Sequence, residues 1–480
     1  MGPTADELRR DLFAFAADSF RGRETGTPDA DRAARWLARR LTELGVEPGG
    51  DSGYFHRVPM DRAMTELKSA RVTRPTGTTD LRHRADVAVL ASLGPGAPLP
   101  RLEVDADLAF ASYAINDSVR QDLAGLEVRG KVVVVVGSSP PGQTPVGLQD
   151  AFNRIVPLLS QGPAGIVLLL PDSSYGQAVG ALGGVQLSLS KGQRAAAPAR
   201  ILPLIALAPL RAASPFLPAA WPASDRSGPM PGVRFSAALS ATTDTFNGYN
   251  VVGIVRGSDP QLRQTFVAYG AHYDHVGLQP SASGDSIANG ADDDASGSVT
   301  LLALARAWMQ GPRPKRSALF VWHIGEEKGL FGSQHFVTKP PIALDSVVAQ
   351  INADMVGRNS PDSLYIVGPG AAPNGASLVL GALADSANAS MPRPFAFDRS
   401  WDTQTHPERI YYRSDHYSYA QKGIPVVFFT SGLHPQYHQV TDEAALIDYD
   451  KLARVGEFMY RLGHLVANRA ERPKPAPRVQ

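Results

Sequence analysis

Residues 265–274 read TFVAYGAHYD, residues 290–309 read GADDDASGSVTLLALARAWM, and residues 318–327 read ALFVWHIGEE. The first and third are short apolar runs that predict strands over 265–271 and 318–324. The second is an acidic turn leading into an apolar segment long enough for a helix over about 296–309. Further strands are expected at 251–256, 347–352 and 424–430, and a closing helix over about 452–466. Strands and helices alternating in this way predict an α/β fold, a helix-flanked, mostly parallel central sheet.

Toward the N-terminus, Leu8, Leu12, Phe15 and Ala16 recur at helical spacing, as do Ala33, Trp36, Leu37 and Leu41, with a turn from Gly22 to Pro28 between them. Near residue 105 the texture changes to short strands and turns, including the apolar runs 132–136 and 166–170, and it ends in a Pro/Ala/Ser-rich stretch over about 203–231. This predicts a β-rich domain, residues 105–245, inserted into a discontinuous main domain of residues 5–104 and 246–468. Residues 469–480, with their RPKPAP segment, read as a disordered tail.

Composition narrows the function. The chain has 480 residues, 43% hydrophobic and 19% charged, enough apolar material for a sizeable core. Its 47 Lys plus Arg against 46 Asp plus Glu leave a formal charge of +1, so no overall field gathers nucleic acid or an anionic membrane. Without cysteine there is neither a disulfide framework nor a thiolate metal site, and any metal must sit on His, Asp and Glu. The most apolar long stretch, 201–221, carries Arg211 and prolines at 203, 209, 215 and 218, which argues against a spanning helix. The N-terminal twenty residues are amphipathic and lack the apolar core of a signal peptide, which leaves a cytoplasmic protein or one whose leader has been removed.

The chemistry lies where the expected strands end. His272-Tyr-Asp274, Glu326-Glu327 and Asp354 each follow one of them, and in open α/β sheets ligands bind outside the carboxyl ends of the strands. The run Asp292-Asp293-Asp294 stands before a helix, whose N-terminus offsets only about 0.3–1 kcal/mol per charge, so a bound cation is the stronger reason for gathering three carboxylates. His434-Pro-Gln-Tyr-His438, in a loop after the 424–430 strand, returns an imidazole to the same edge. Imidazoles and carboxylates without thiols suit zinc or a similar borderline cation.

The ordered set AHYD (271–274), GADDDASG (290–297), GEEKGLFGS (325–333), INADMVG (351–357), SDHYSY (414–419) and YHQVTD (437–442) resembles the co-catalytic di-zinc exopeptidases typified by secreted leucine aminopeptidases and aminopeptidase Y. GRETGTPDADRAARWLARRLTELGVEP (22–48) is similar to that family's N-terminal segment, and LAGLEVRGKVVVVV (123–136) with AGIVLLL (164–170) looks, more loosely, like a protease-associated domain. The resemblance implies two Zn2+ per chain, with Asp293 bridging them, His272 and Asp354 completing one site, and Glu327 and His438 the other. A bridging carboxylate of this kind can hold two metals roughly 3.5–4 Å apart, where both polarise one hydroxide and the substrate carbonyl. It further implies Glu326 as general base, Tyr437 as donor to the oxyanion, Asp274 orienting His272, and Asp294 beside the bridge, in relatives often through a cis peptide. Peptides with a free N-terminus would be the substrates, the α-amine held by Glu326 and Asp354, and the location secreted or periplasmic.

Taken singly, these residues are ambiguous: a strand-end histidine, a solvated Glu-Glu turn and an acidic helix cap are all common. Their joint occurrence at successive strand ends is what argues for a site. The resemblance gives His275, His323, His335, His416 and His434 no ligand role, so they read as packing or supporting groups. Ser188-Leu-Ser-Lys191 fits S-x-x-K without its companion motifs, and neither H-E-x-x-H nor G-x-S-x-G occurs. Three alternatives stay open: glutaminyl cyclase, a carboxypeptidase for acidic substrates drawing on Arg358 and Arg413, and a non-catalytic binding protein.

Overall fold

The computed structural model describes residues 2–90, 102–182, 185–190, 203–279, 284–370 and 375–475. Two compact units divide the chain: Met1–Met60 with Phe246–Gln480, and Asp61–Thr245. The chain passes between them within the strands Phe55–Arg74 and Gly228–Val255.

In the larger unit four strands run parallel, in the order Val426–Thr430, Val347–Ala353, Phe266–His272, Ser317–His323. Residues 251–255 lie on one side, antiparallel to Ser317–His323, with Glu47–Pro48 antiparallel beyond them. Ser363–Val367 closes the other, antiparallel to Val426–Thr430, with Ala396–Asp398 parallel beyond it. Every residue of Phe266–His272, Ser317–His323 and Val347–Ala353 is buried, because helices cover both faces and no strand position meets water. On one face Gly297–Gln310 and Tyr449–Asn468 pack together and against Phe266–His272, with Ala5–Phe15 against both helices. On the other, Phe336 and Val337 of Phe331–Thr338 join Tyr419 and Ala420 of His416–Gln421 over Val252, Ala268, Leu319 and Val426. Each large side chain fully buried in these layers contributes about 1.5–3 kcal/mol.

Local signals fix the helix starts. Thr4 and Glu7 form a reciprocal capping box at Ala5–Phe15, and Ser377 and Asp448 accept from Leu380 N and Lys451 N at the starts of Leu378–Ala389 and Tyr449–Asn468. Gly297 opens the central helix because a Cβ there would stand 2.5 Å from Ala353 O and from Asp294 Oδ1. Only glycine lets the helix start approach the end of the neighbouring strand so closely.

The smaller unit has its own parallel sheet, Glu103–Phe110, Val132–Val136, Gly165–Leu170 and Leu204–Pro209, with residues 228–238 and Ala88–Val89 antiparallel at its edges. Side chains alternate across it: Val132, Val134 and Val136 enter one apolar cluster, Val133 and Val135 another beneath the helices Leu148–Leu159 and Asp172–Leu182. The insertion begins at Asp61 rather than at 105, because residues 71–74 form a hairpin with Gly77–Asp80 and Ala70, Val72, Leu81 and Val87 belong to its core. Part of the expected tail is held in place: Arg472 donates to Asp345 O and Val347 O, while residues 476–480 and Lys191 of the S-x-x-K match lie outside the described residues. No helix among the described residues is long and apolar enough to cross a membrane.

Candidate metal centre

The parallel strands deliver their C-terminal residues to one edge of the larger sheet. Phe266–His272 ends in His272, Ser317–His323 leads to Glu326 and Glu327, Val347–Ala353 leads to Asp354, and the loop after Val426–Thr430 carries Tyr437 and His438. Ala291–Ser296 brings Asp293 into their midst, and the Asp293–Asp294 peptide is cis.

Asp293 lies at the centre. Its Oδ1 is 3.1 Å from His272 Nε2, which also stands 3.5 Å from Asp354 Oδ1. Its Oδ2 is 3.1 Å from His438 Nε2, which stands 2.9 Å from Glu327 Oε2. One carboxylate thus faces two separate His-plus-carboxylate groups, one through each oxygen. His272 Nε2, His438 Nε2 and Asp293 Oδ2 are buried and have no aligned hydrogen-bond partner, so these atoms converge without satisfying one another. Buried polar atoms in that state cost about 1–3 kcal/mol each unless something else engages them. Nitrogen and oxygen donors at such spacings, in two sets sharing one carboxylate, fit a pair of borderline divalent cations.

The electrostatics agree. Burial disfavours charge on Asp293, yet His272 and His438 hold its carboxyl well below the ordinary value. His438 is pushed up to about 10, because Asp293 and Glu327 outweigh its burial. Burial raises Glu326 well above the ordinary glutamate range; His272 opposes this, and the charges of Glu327, Asp354 and Asp415 add to it. The pocket therefore attracts positive charge, and Glu326 has unusual proton affinity for a glutamate.

Supporting contacts fix these groups in place. Asp294 Oδ2 accepts from His272 N (3.2 Å), and its Oδ1 accepts from Gly297 N (2.9 Å) and Met355 N (3.2 Å), tying three loops together. Asp274 acts differently from the role the resemblance implies. His272 Nδ1 bonds its backbone oxygen at 3.1 Å, while its carboxylate, 3.9 Å from that nitrogen, accepts from Thr25 Oγ1 and Glu326 N. The side chain thus anchors the turn that carries Glu326. Glu326 Oε2 lies 4.0 Å from His272 Nε2. Tyr437 stacks on the His438 ring at 3.8 Å, and its hydroxyl accepts from Arg413 Nη2 at 3.1 Å.

Sequence reasoning left several residues without a role. Arg23 is completely buried and donates to Tyr273 O, Asn289 O, Gly290 O and Phe15 O, clamping the His272 loop to the Asp293 loop. Ser414 Oγ donates to Asp354 Oδ2, and Asp442 accepts from Asp292 N and Asp293 N. All three lie inside quoted motifs, but spacing alone does not show that they point inward. His434 Nε2 stands 3.3 Å from Asp292 Oδ2, outside the convergence. His275 Nδ1 reaches Glu327 Oε1 at 2.9 Å.

Fold and site together define an α/β protein with two His-and-carboxylate groups that share Asp293 at the carboxyl edge of its sheet. Residues 250–463 match the model of Peptidase family M28. Leucine aminopeptidase 1 of Trichophyton rubrum is 26% identical over 231 residues, which span 46% of this chain and 58% of that protein. The chain thus spans little more than half the length of such curated relatives. Among solved structures, the aminopeptidase of Aneurinibacillus sp. strain AM-1 superposes with a TM-score of 0.59 at 16% identity, covering 99% of this chain and 96% of that one. A zinc aminopeptidase of Bacillus subtilis gives 0.59 at 15% identity, with 99% of each chain covered. At these identities the likeness concerns the fold.

Proposed function

We propose that this chain is a zinc-dependent aminopeptidase holding two zinc ions, one by His272, Asp293 and Asp354, the other by Asp293, Glu327 and His438. The observation that carries the reading is the pair of Asp293 oxygens, each facing a different imidazole and a different terminal carboxylate. The zinc pair would supply Lewis acidity toward the scissile carbonyl and the attacking water. Around it the protein provides the proton chemistry. Glu326, whose Oε2 lies 4.0 Å from His272 Nε2, takes a proton from the water and passes it to the leaving amine. Arg413 donates to the Tyr437 oxygen, leaving the hydroxyl proton free for the oxyanion.

Substrate orientation follows from the walls. Glu326 and Asp354 offer carboxylates to a free α-amine, and beside them Met355, Ile410, Phe428 and Leu433 line a pocket that suits an apolar first side chain. The insertion, whose adjacent strands Val132–Val136 and Gly165–Leu170 carry the looser resemblance, is proposed as a protease-associated domain. A secreted or periplasmic location belongs to the same proposal, and cell fractionation tests it.

The deciding experiment is hydrolysis of aminoacyl-4-nitroanilides before and after chelation and zinc repletion. Metal-dependent release from free leucyl and phenylalanyl substrates, and none from their N-acetylated forms, is expected. Equal cleavage of the acetylated forms overturns the aminopeptidase reading; absence of all release favours a cyclase, carboxypeptidase or binding role.

A further inference from the structure

His275 is fully buried one residue beyond Asp274, and the proposed function gives it no task. Its ring lies against the backbone of Gly290, where a Cβ would come within 2.5 Å of the ring's Cγ and Cδ2. Glycine at 290 thus lets the imidazole lie directly against the turn that presents Asp293. From there Nδ1 meets Glu327 Oε1 at 2.9 Å with hydrogen-bond alignment and stands 3.7 Å from Asp293 Oδ2.

Two roles fit a histidine so close to His438, a further donor to the cation or a brace for Glu327, and alignment separates them. His438 Nε2 approaches Asp293 Oδ2 and Glu327 Oε2 at 3.1 and 2.9 Å, yet it is aligned as a hydrogen bond with neither. That is how a donor aimed at a point between two oxygens behaves. His275 Nδ1 is aimed at one oxygen, Oε1, and leaves Oε2 facing His438. The same arrangement recurs at the other site. Ser414 Oγ donates to Asp354 Oδ2 at 2.7 Å and leaves Oδ1 facing His272. Each terminal carboxylate therefore has one oxygen tied by a buried protein donor and one turned toward the centre.

We propose that His275 is a positioning residue of the second metal site: its Nδ1–H occupies Oε1 of Glu327, so that Oε2 alone is presented to the cation. This rests on the reading that Asp293, Glu327 and His438 hold a metal. Donors that hold a ligating group in its orientation typically account for 10–100-fold in metal affinity. Because one brace is a hydroxyl and the other an imidazole, the two sites can be perturbed separately.

The test is titration of the chelated protein with Co2+, following bound metal and visible absorption, for wild type, His275→Ala, His275→Asn and His438→Ala. Wild type should bind two equivalents. His275→Ala should still bind two, with the second weakened about 10–100-fold. His275→Asn, whose amide Nδ2 stands close to where ring Nδ1 does, should recover most of that loss. His438→Ala should lose the second equivalent. His275→Leu, which fills the ring's volume without a donor, replaces the alanine variant should that one not fold. The proposal is overturned if His275→Ala matches wild type, or if it loses the second equivalent as His438→Ala does and asparagine fails to restore it. A wild type that binds fewer than two equivalents instead overturns the underlying metal-site reading.

Discussion

Arg23→Met is the most informative single change outside the proposed metal ligands. The guanidinium has no exposed surface and makes close bonds to Asn289 O (2.7 Å), Tyr273 O (2.8 Å) and Gly290 O (2.9 Å), with a longer one to Phe15 O (3.3 Å). Methionine fills much of the same volume but leaves three well-bonded carbonyls without their donor. Each orphaned carbonyl costs about 1–3 kcal/mol, or about 3–9 kcal/mol together. Part of this is offset because the variant no longer buries a cation, and burial here is strong enough to lower the arginine to about 10 despite nearby carboxylates. A net loss of about 3–5 kcal/mol, the range for breaking a buried charged network, is expected. Arg23→Lys keeps a charge but cannot reach all the carbonyls, so it should fall between. Urea unfolding of the zinc-loaded protein measures the loss, and metal content reports whether the His272 and Asp293 loops have drifted apart. A loss under about 1 kcal/mol in Arg23→Met, with full metal content, would refute the clamp.

Glu326→Gln should retain both metals and the fold while turnover falls about 10²–10⁴-fold; unchanged turnover removes Glu326 as the base. Ser414→Ala frees Asp354 Oδ2 and should weaken the His272 site about 10–100-fold without touching the His438 site, as metal titration would show. Lys451, donating to the backbone oxygens of Arg358 and Ser360, is lowered to about 8 chiefly by burial. Below about pH 8 it is charged in both folded and unfolded chains, and the folded state bears the burial cost. Between about 8 and the unfolded value of about 10.4 the folded state loses the proton first, so its contribution to stability should rise with pH across that window. Urea midpoints of wild type and Lys451→Met across that range should diverge by this slope, and parallel curves would refute it.

Apolar runs at 266–272, 317–323 and 347–353 were legible because parallel strands buried on both faces leave no polar alternation, and their ends locate His272, Glu326–Glu327 and Asp354. Ser363–Val367 and Ala396–Asp398 carry only three to five residues each at the sheet's margin, too short to give a period. The start of the insertion was hidden because Phe55–Arg74 runs as one continuous strand through the crossing at Met60, with mixed polar text on both sides and only Pro59 beside it. Arg23 and His275 escaped for a different reason. A buried arginine satisfied by carbonyls 250 to 267 positions away has no local signature, and a histidine beside a ligand motif reads the same whether it packs or braces. The carboxylate of Asp274 turns to Thr25 and Glu326 N, a choice made by side-chain geometry rather than spacing.

The most direct test of the account is zinc titration of the chelated protein with bound metal and leucyl-4-nitroanilide hydrolysis read on the same samples, alongside Asp293→Ala. Wild type is expected to bind two equivalents and to hydrolyse the substrate only as zinc is restored, and Asp293→Ala to lose both the paired binding and the hydrolysis. Hydrolysis that survives chelation, or an Asp293→Ala variant that binds two zinc ions as tightly as wild type, would contradict it.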